Sequence, residues 1–469
     1  MNISSPTPKI FETGAMKVEA GLYLTDGALQ SEGWGDTGAA QTLAAGDAFP
    51  WLAFGNSVTI ATEDDASVTT KAFMSSPRLI GKTIENALGF YARFTGLNRF
   101  HYWMWGFENV TMSVVAFKVT LTDPWGEAAP DVGDVYLDGT VSYTYLRTEK
   151  IRNSKVYVFA NDGVTAVPTV AGTLEMSTGE VFTFTEVSAQ MYEHLYELDA
   201  SGRRYRRYTT AERLEFNTEM GTGTLGTADA RNLMCTLAKR MSNYDLRYAN
   251  AMSKSFNYKV SAAGLAQWET TYMSFLEERG DYDSEDWTLT DGLCNNQLVP
   301  AHYEMRFAIG EALTITNGEI TGLTDLGLTD FDMAVETPMQ SLQDFVSGLS
   351  IAEPVLEGAY KVTLNGTISR HTVQTYQGFR DDQSALVGHL VTNQNWYMQE
   401  MLFKEIKIQE AGPDDGDVAG EPLKMTSSYV CAETNAFTAD WLYGHNELQD
   451  SPVVFRVRDF SSQNQMILS

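Results

Sequence analysis

Apolar and polar positions alternate over many short stretches of this chain, with turn-forming residues between them. Val58-Thr59-Ile60 and residues 67–73 read as strands, and residues 135–146 and 154–160 read as strands bracketing a hairpin. Tyr303, Met305, Phe307 and Ile309 share one face of a strand over 301–309, and 328–336 reads as another. Met398, Leu402, Ile406 and Ile408 fall on one side over 396–408, and a last strand covers 453–457. Apolar residues three or four positions apart predict short helices elsewhere. Ser76-Pro77 would cap one carrying Ile80, Ile84, Leu88 and Tyr91. Thr183 and Glu186 have capping-box spacing ahead of Val187, Met191, Leu195 and Leu198, with a stop near Ser201-Gly202. Thr227-Ala228-Asp229 precedes Leu233, Leu237 and Met241, with Lys239 and Arg240 placed to suit a helix dipole. Thr337-Pro338 opens one bearing Met339, Leu342 and Val346 and closed by Gly348, and Asp382 or Ser384 caps another with Leu386 and Leu390. Strands outnumber helices and do not alternate with them. That order predicts a mainly β (α+β) chain of antiparallel β-sandwich or partial-barrel domains with long hairpins and a few packed helices, against a parallel doubly wound sheet.

One pattern occurs twice. Tyr258-Lys259-Val260-Ser261, a Gly264 turn and Thr271-Tyr272-Met273-Ser274-Phe275 resemble Tyr360-Lys361-Val362-Thr363, Asn365-Gly366 and Thr375-Tyr376-Gln377-Gly378-Phe379. Asn365-Gly366 predicts a type I′ hairpin turn, and Asn161-Asp162-Gly163 is another turn signal. The acidic, turn-rich run after Leu276 suggests a linker at 281–297 between a first domain at 46–280 and a second at 298–460. The first is about a hundred residues longer than the second needs, so an insertion around 135–205 is expected. Residues 1–45, rich in Ser, Thr, Gly, Ala and Pro, read as an extended arm ordered against a neighbour, and 461–469 as a polar tail.

Composition sharpens this. The chain of 469 residues is 43% hydrophobic and carries 61 acidic against 33 basic residues, a net charge of −28. Such a field repels polyanions, so adhesive nucleic-acid binding is disfavoured. The exception would be Arg203-Arg204-Tyr205-Arg206-Arg207-Tyr208, whose interleaved aromatics suit single-stranded nucleic acid or, alternatively, an acidic neighbouring subunit. Cys235, Cys294 and Cys431 lie far apart, which suggests a reducing site of synthesis without disulfide dependence. The first residues lack the basic-then-apolar order of a secretory signal, and no apolar run is long enough to span a membrane, so folding in the cytoplasm is expected. The aromatic run 100–107 predicts core or subunit interface, with a sugar-stacking platform as the alternative.

Catalytic chemistry is poorly supported. Gly221-Thr222-Gly223-Thr224-Leu225-Gly226 is a literal GxGxxG, with Asp245 about twenty residues on, but the residues before it do not read as a buried parallel strand. The six histidines make no zinc-type spacing, and Asp414-Asp415-Gly416-Asp417 lacks the other ligands of a calcium loop. There is no GxSxG elbow. No catalytic, cofactor-binding or metal residues are nominated, no cofactor is expected, and an enzyme is not expected.

The paired segments at Tyr258-Lys259-Val260 and Tyr360-Lys361-Val362, with the stretches from Val58 to Phe73 and from Ser75 to Lys82, make the chain resemble the major tail tube proteins of long-tailed, non-contractile bacteriophages. The length and repeat then imply two tube domains in one chain. The resemblance implies homo-oligomeric rings, three chains giving pseudo-sixfold symmetry, stacked into a tube whose hairpins form a continuous β-lined channel. It implies contact with a tape measure protein and transiting DNA in the lumen, with tail-tip and terminator proteins at the ends, and with no membrane. It places the protein in the virion tail after assembly in the host cytoplasm. The N-terminal arm and the Trp125 loop would reach into the adjacent ring, and polar hairpin positions would line an acidic lumen that repels phosphates. Exposed hairpin edges, which invite aggregation in a monomer, would be satisfied by ring closure. The alternatives are a carbohydrate-binding or adhesive β-sandwich protein, another virion component such as a baseplate or capsid protein, and, third, a glycosidase-type enzyme with a carboxylate pair.

Overall fold

The computed structural model describes residues 14–22, 48–49, 51–55, 58–63, 78–108, 112–119, 124–125, 130–151, 154–161, 171–198, 228–240, 245–280, 298–337, 339–340, 354–356, 360–368, 386–394, 396–413, 425–432, 441 and 451–460. These residues are mainly strand, and the strands pair antiparallel.

Two sheets face one another. In the first, Arg78–Tyr91, Gln267–Ser274, Asp245–Val260, Leu328–Glu336, Lys361–Ile368, Met425–Ala432 and the end of Tyr397–Pro413 lie side by side. Strand Tyr397–Pro413 then crosses into the second sheet, where its beginning pairs with Leu386–Gln394 and with Val453–Asp459. That sheet continues through Met191–Leu198, Met112–Lys118, Ser154–Asn161 and Val141–Ile151. A side ribbon joins the start of Asp245–Val260 to Ala228–Arg240 and Leu276–Gly280, and Ala228–Arg240 to Gly14–Leu22.

The single α-helix among the described residues, Asn98–Trp105, lies between the sheets. It is buried on nearly every side, with Arg99 alone of its eight residues not buried. Gly106 ends it at φ 98°, a left-handed cap whose N–H donates to the Tyr102 carbonyl. Trp105 packs 5.4 Å from Phe256 of the first sheet and 5.4 Å from Phe455 of the second. The Trp103 indole N–H donates to the Ala251 carbonyl at 3.0 Å. Residues 100–105 of the aromatic run are therefore core, and their side chains offer no open platform.

A second apolar cluster lies apart from this one. Phe117, Tyr136, Tyr143, Tyr145, Tyr157, Phe159, Phe182 and Phe184 pack together, with Trp125 against them. Its members come from residues 115–187 alone, a range that overlaps the stretch expected to be inserted (135–205) but begins before it. A small hairpin, Thr314–Thr316 with Glu319–Thr321, straps onto it: the Thr148 N–H donates to the Gly318 carbonyl at 2.9 Å, and Tyr145 Oη to the Asn317 carbonyl at 2.7 Å.

Several expectations are corrected. Ile80, Ile84, Leu88 and Tyr91 lie on strand Arg78–Tyr91, not on a helix. Thr183 and Glu186 cap nothing: they lie on Val181–Phe184 and Glu186–Val187, and Met191–Leu198 is a strand. Leu233 and Leu237 lie on strand Ala228–Arg240, Leu386 and Leu390 on strand Leu386–Gln394, and Met339 on the short strand Met339–Gln340. One cause covers most of them. A spacing of four fits one helix face, but it is also an even number and so keeps one face of a strand. Within the N-terminal arm, Gly14–Leu22 is paired inside its own chain. Trp125 bridges Phe182 with ring centroids 4.5 Å apart, so it turns inward. Asn365-Gly366 is no turn: both residues lie inside Lys361–Ile368, paired on either edge. Residues 375–379 lie outside the described residues, as do 203–208, the GxGxxG at 221–226, 281–297 and 414–417. Pairing between Asp245–Val260 and Leu328–Glu336 carries the first sheet across the 281–297 stretch.

Candidate functional surface: the polar face of the hairpin sheet

The first repeated segment forms the hairpin its sequence predicts. Phe256 pairs with Thr270 and Lys259 with Gln267, and the turn closes where the Gly264 N–H donates to the Ser261 carbonyl at 2.8 Å. Ala263 takes the left-handed conformation at φ 57° within it. Period-two alternation then divides the residues. Tyr258, Val260 and Trp268 point into the core, while Asn257, Lys259, Gln267 and Glu269 face out. Strand Lys361–Ile368 keeps the same phase, with Val362 and Leu364 inward and Lys361 exposed. Both Tyr-Lys-Val segments thus serve one sheet with one polar face, without both being hairpins.

Registers place the outward residues in rows. One row runs Gln267, Lys259, Asp332, Asn365 across four strands; the row after next runs Thr271, Ser255, Glu336, Lys361. Glu85, Glu269, Asp330, Asp332 and Glu336 on this face outnumber Lys254, Lys259 and Lys361. Lys254 pairs with Glu85 at 2.9 Å and Lys259 with Glu269. These pairs are about a third to two-fifths exposed, so water screens them and they add little stability.

At the turn end of this face lies a cleft of about 320 Å³, with Lys259, Asp330, Asp332, Asn365 and Thr367 among its polar lining and Val260, Leu265 and Phe331 among its apolar lining. Asp330 is held by the Ala262 N–H at 3.1 Å and the Thr329 hydroxyl at 3.1 Å. Asp332 Oδ1 is buried and has no hydrogen-bond partner among the described residues. Burial pushes the Asp332 carboxyl up, Lys259 pulls it back, and Glu269 adds to the rise.

The other concentration of titratable groups is closed. On the second sheet, Arg458 donates to both Glu149 oxygens at 2.8 and 2.7 Å, and Arg147 donates to Glu149 at 2.9 Å and to Glu193 at 3.0 Å. Arg456 donates to Glu400 at 3.3 Å and lies 3.9 Å over the Trp441 ring, and His389 meets Glu400 at 2.7 Å. Burial alone would raise Glu193, but Arg147, Arg456 and Arg458 outweigh it and hold it at about 2. Glu400 is likewise held at about 2 against burial, by the His389 hydrogen bond and then Arg456. Burial draws Arg456 down to about 10, with Arg147 adding to the effect. All these side chains are nearly inaccessible, so the layer fastens strands together and presents nothing to a ligand.

Sequence reading nominated no catalytic, cofactor or metal residue, and among the described residues no group of three or more His, Cys, Asp or Glu side chains is arranged to hold a metal ion. It expected polar positions on the repeated hairpins to matter without naming them. It missed the cleft, which needs Asp330, Asp332 and Asn365 brought beside Lys259 by strand order, and the ion layer, whose signal was Arg456 and Arg458 inside an otherwise apolar strand. Cys235 is buried and forms no disulfide with another described residue. No helix among the described residues is long and apolar enough to cross a membrane. No protein-family model matches the chain, and no curated protein matches it in sequence.

Proposed function

We propose that this chain is a structural, self-assembling protein of the phage tail-tube type, in which the polar face of the hairpin sheet lines a DNA-conducting channel. One observation carries the reading: a broad antiparallel sheet keeps one face in the core and leaves the other as a polar surface with more carboxylates than lysines. A wall of that kind repels phosphate and lets a polyanion slide past without sticking. In this reading rings form from copies of the chain, three giving pseudo-sixfold symmetry, and the tape measure protein and the genome occupy the lumen in turn. Tail-tip and terminator proteins close the ends, and the protein resides in the virion tail. Negative-stain imaging of the purified protein tests it. Stacked rings or hollow tubes are expected; monomers persisting across concentration and salt would refute the proposal.

A further inference from the structure

We infer that the outer face of strand Val135–Asp138 and its neighbours receives the Arg203-Arg204-Tyr205-Arg206-Arg207-Tyr208 run of a second copy of this chain. The inference rests on the tube reading only in that copies of the chain meet. Strand Val135–Asp138 lies between Val141–Ile151 and Gly172–Met176, and the latter pairs on with Val181–Phe184. Alternation sends Tyr136, Tyr143, Leu174 and Phe182 into the second apolar cluster. The opposite face holds Val135 and Leu137, 43% and 40% exposed, with Ser142 and Glu175 on either side of Leu137 in register. Apolar side chains two residues apart on one exposed strand face gain by burial against a partner.

Charge selects the partner. Residues 130–146 and 171–185, which build these strands and their turns, carry Asp131, Asp134, Asp138, Glu175 and Glu180 and no Lys or Arg. Acidity of one sign around an apolar centre repels other acidic surfaces, and the chain's net charge of −28 makes such surfaces the rule. The run at 203–208 is the dense basic exception, with four arginines interleaved with two tyrosines. Guanidinium forks bind carboxylates two bonds at a time, and tyrosine rings cover apolar side chains at low entropy cost.

Reach selects a second copy. One row crosses the sheet through Met191, Val114, Ala160, Thr144 and Val135. Val135 is therefore four strand spacings, about 19 Å, from Met191. Leu198 stands seven residues, about 23 Å, farther along the Met191 strand, so it lies about 30 Å from Val135. Arg203 follows Leu198 by five residues, which span at most about 18 Å. The run cannot begin on the face of its own chain, and it lies across the face of another.

Biolayer interferometry between full-length variants at low salt tests this. A run variant carries Arg203→Gln, Arg204→Gln, Arg206→Gln and Arg207→Gln, a face variant carries Leu137→Lys and Glu175→Lys, and a double variant carries all six. Against the immobilised run variant, whose face is intact, the face variant should bind at least tenfold more tightly than the double variant. That advantage should vanish when the double variant is immobilised, and shrink as salt is added. Contacts elsewhere on the chain are the same in every pairing and cancel. Circular dichroism confirms that each variant is folded, and Glu175→Lys alone, at an exposed position, serves as the face variant if Leu137→Lys disturbs the strands. Equal binding of the two analytes overturns the inference, as does an advantage that survives on the immobilised double variant. Equal binding together with single-stranded DNA affinity that disappears with the arginines gives the run to nucleic acid and overturns it too. Imaging of the parent separates the two readings: tubes without the advantage overturn only this contact, and the advantage without tubes only the channel.

Discussion

Strand Val453–Asp459 has two buried faces of opposite chemistry. Phe455 and Val457 enter an aromatic wedge shared with Trp105, His101 and Trp268, while Arg456 and Arg458, one position away, enter a layer of glutamates. Both faces exclude water about equally, since every residue of the strand is buried. What differs is how each would fail. Apolar packing degrades by degrees, because each lost contact is small and neighbours relax into part of the gap. An ion layer fails by whole charges, because removing one partner leaves another buried and unpaired.

Two substitutions on this one strand test that difference, and the first carries the largest expected effect. Arg458→Met keeps much of the side-chain volume but strips Glu149 of both its Arg458 hydrogen bonds and weakens the field on Glu193. A loss of roughly 3–5 kcal/mol is expected in urea unfolding. Phe455→Leu removes part of a ring from the wedge, and the loss should stay near 1–2 kcal/mol. Equal losses would show that the ion layer is no more brittle than the wedge.

The same strand explains what the sequence could and could not disclose. Phe455-Arg456-Val457-Arg458 alternates like a strand with one face in water, and a polar position looks the same whether its partner is solvent or a glutamate from residues 141–151. Alternation reports period, not surroundings. It was therefore sufficient for the mainly β class and for strands such as Leu328–Glu336. It could not reveal the ion layer, whose partners His389 and Glu149 lie 240 residues apart by subtraction of their numbers. The helix Asn98–Trp105 was illegible for the opposite reason. Enclosed on nearly all sides, it has no polar stripe from which a period of 3.6 can be read. Asn365-Gly366 misled because a dipeptide suited to a turn also sits within a strand when partners flank both edges.

Acid should separate the two regions next. Glu193 and Glu400 are held at about 2 in the folded protein, below the ordinary 4.5. A depressed carboxyl contributes stability that is present above its unfolded value and is lost as pH falls through the folded one. The ion layer should therefore weaken between pH 4.5 and 2, by about 3 kcal/mol in all once the coupling between these charges is discounted. Glu400→Gln should reduce the loss across that window in urea midpoints recorded against pH. An unchanged acid limb would remove Glu400 from the layer's energetics.

The smallest expected change at neutral pH comes from the wedge, and it isolates the wedge's one titratable member. His101 is enclosed by Tyr196, Trp268 and Phe455, and neither ring nitrogen has a hydrogen-bond partner among the described residues. Burial, with His194 adding to it, lowers His101 from 6.5 to about 3. The unfolded chain therefore takes up a proton near 6.5 that the folded chain refuses until about 3, and folding loses stability as pH falls between those values. The slope approaches about 1.4 kcal/mol per pH unit once the unfolded imidazole is charged. His101→Leu, close in volume, should shift stability at pH 7.5 by less than about 1.5 kcal/mol. It should also flatten the stability profile between pH 6 and 4.5, above the window in which the glutamates act. A variant that keeps the parent slope there would assign the acid sensitivity to other groups and leave the wedge without a pH response.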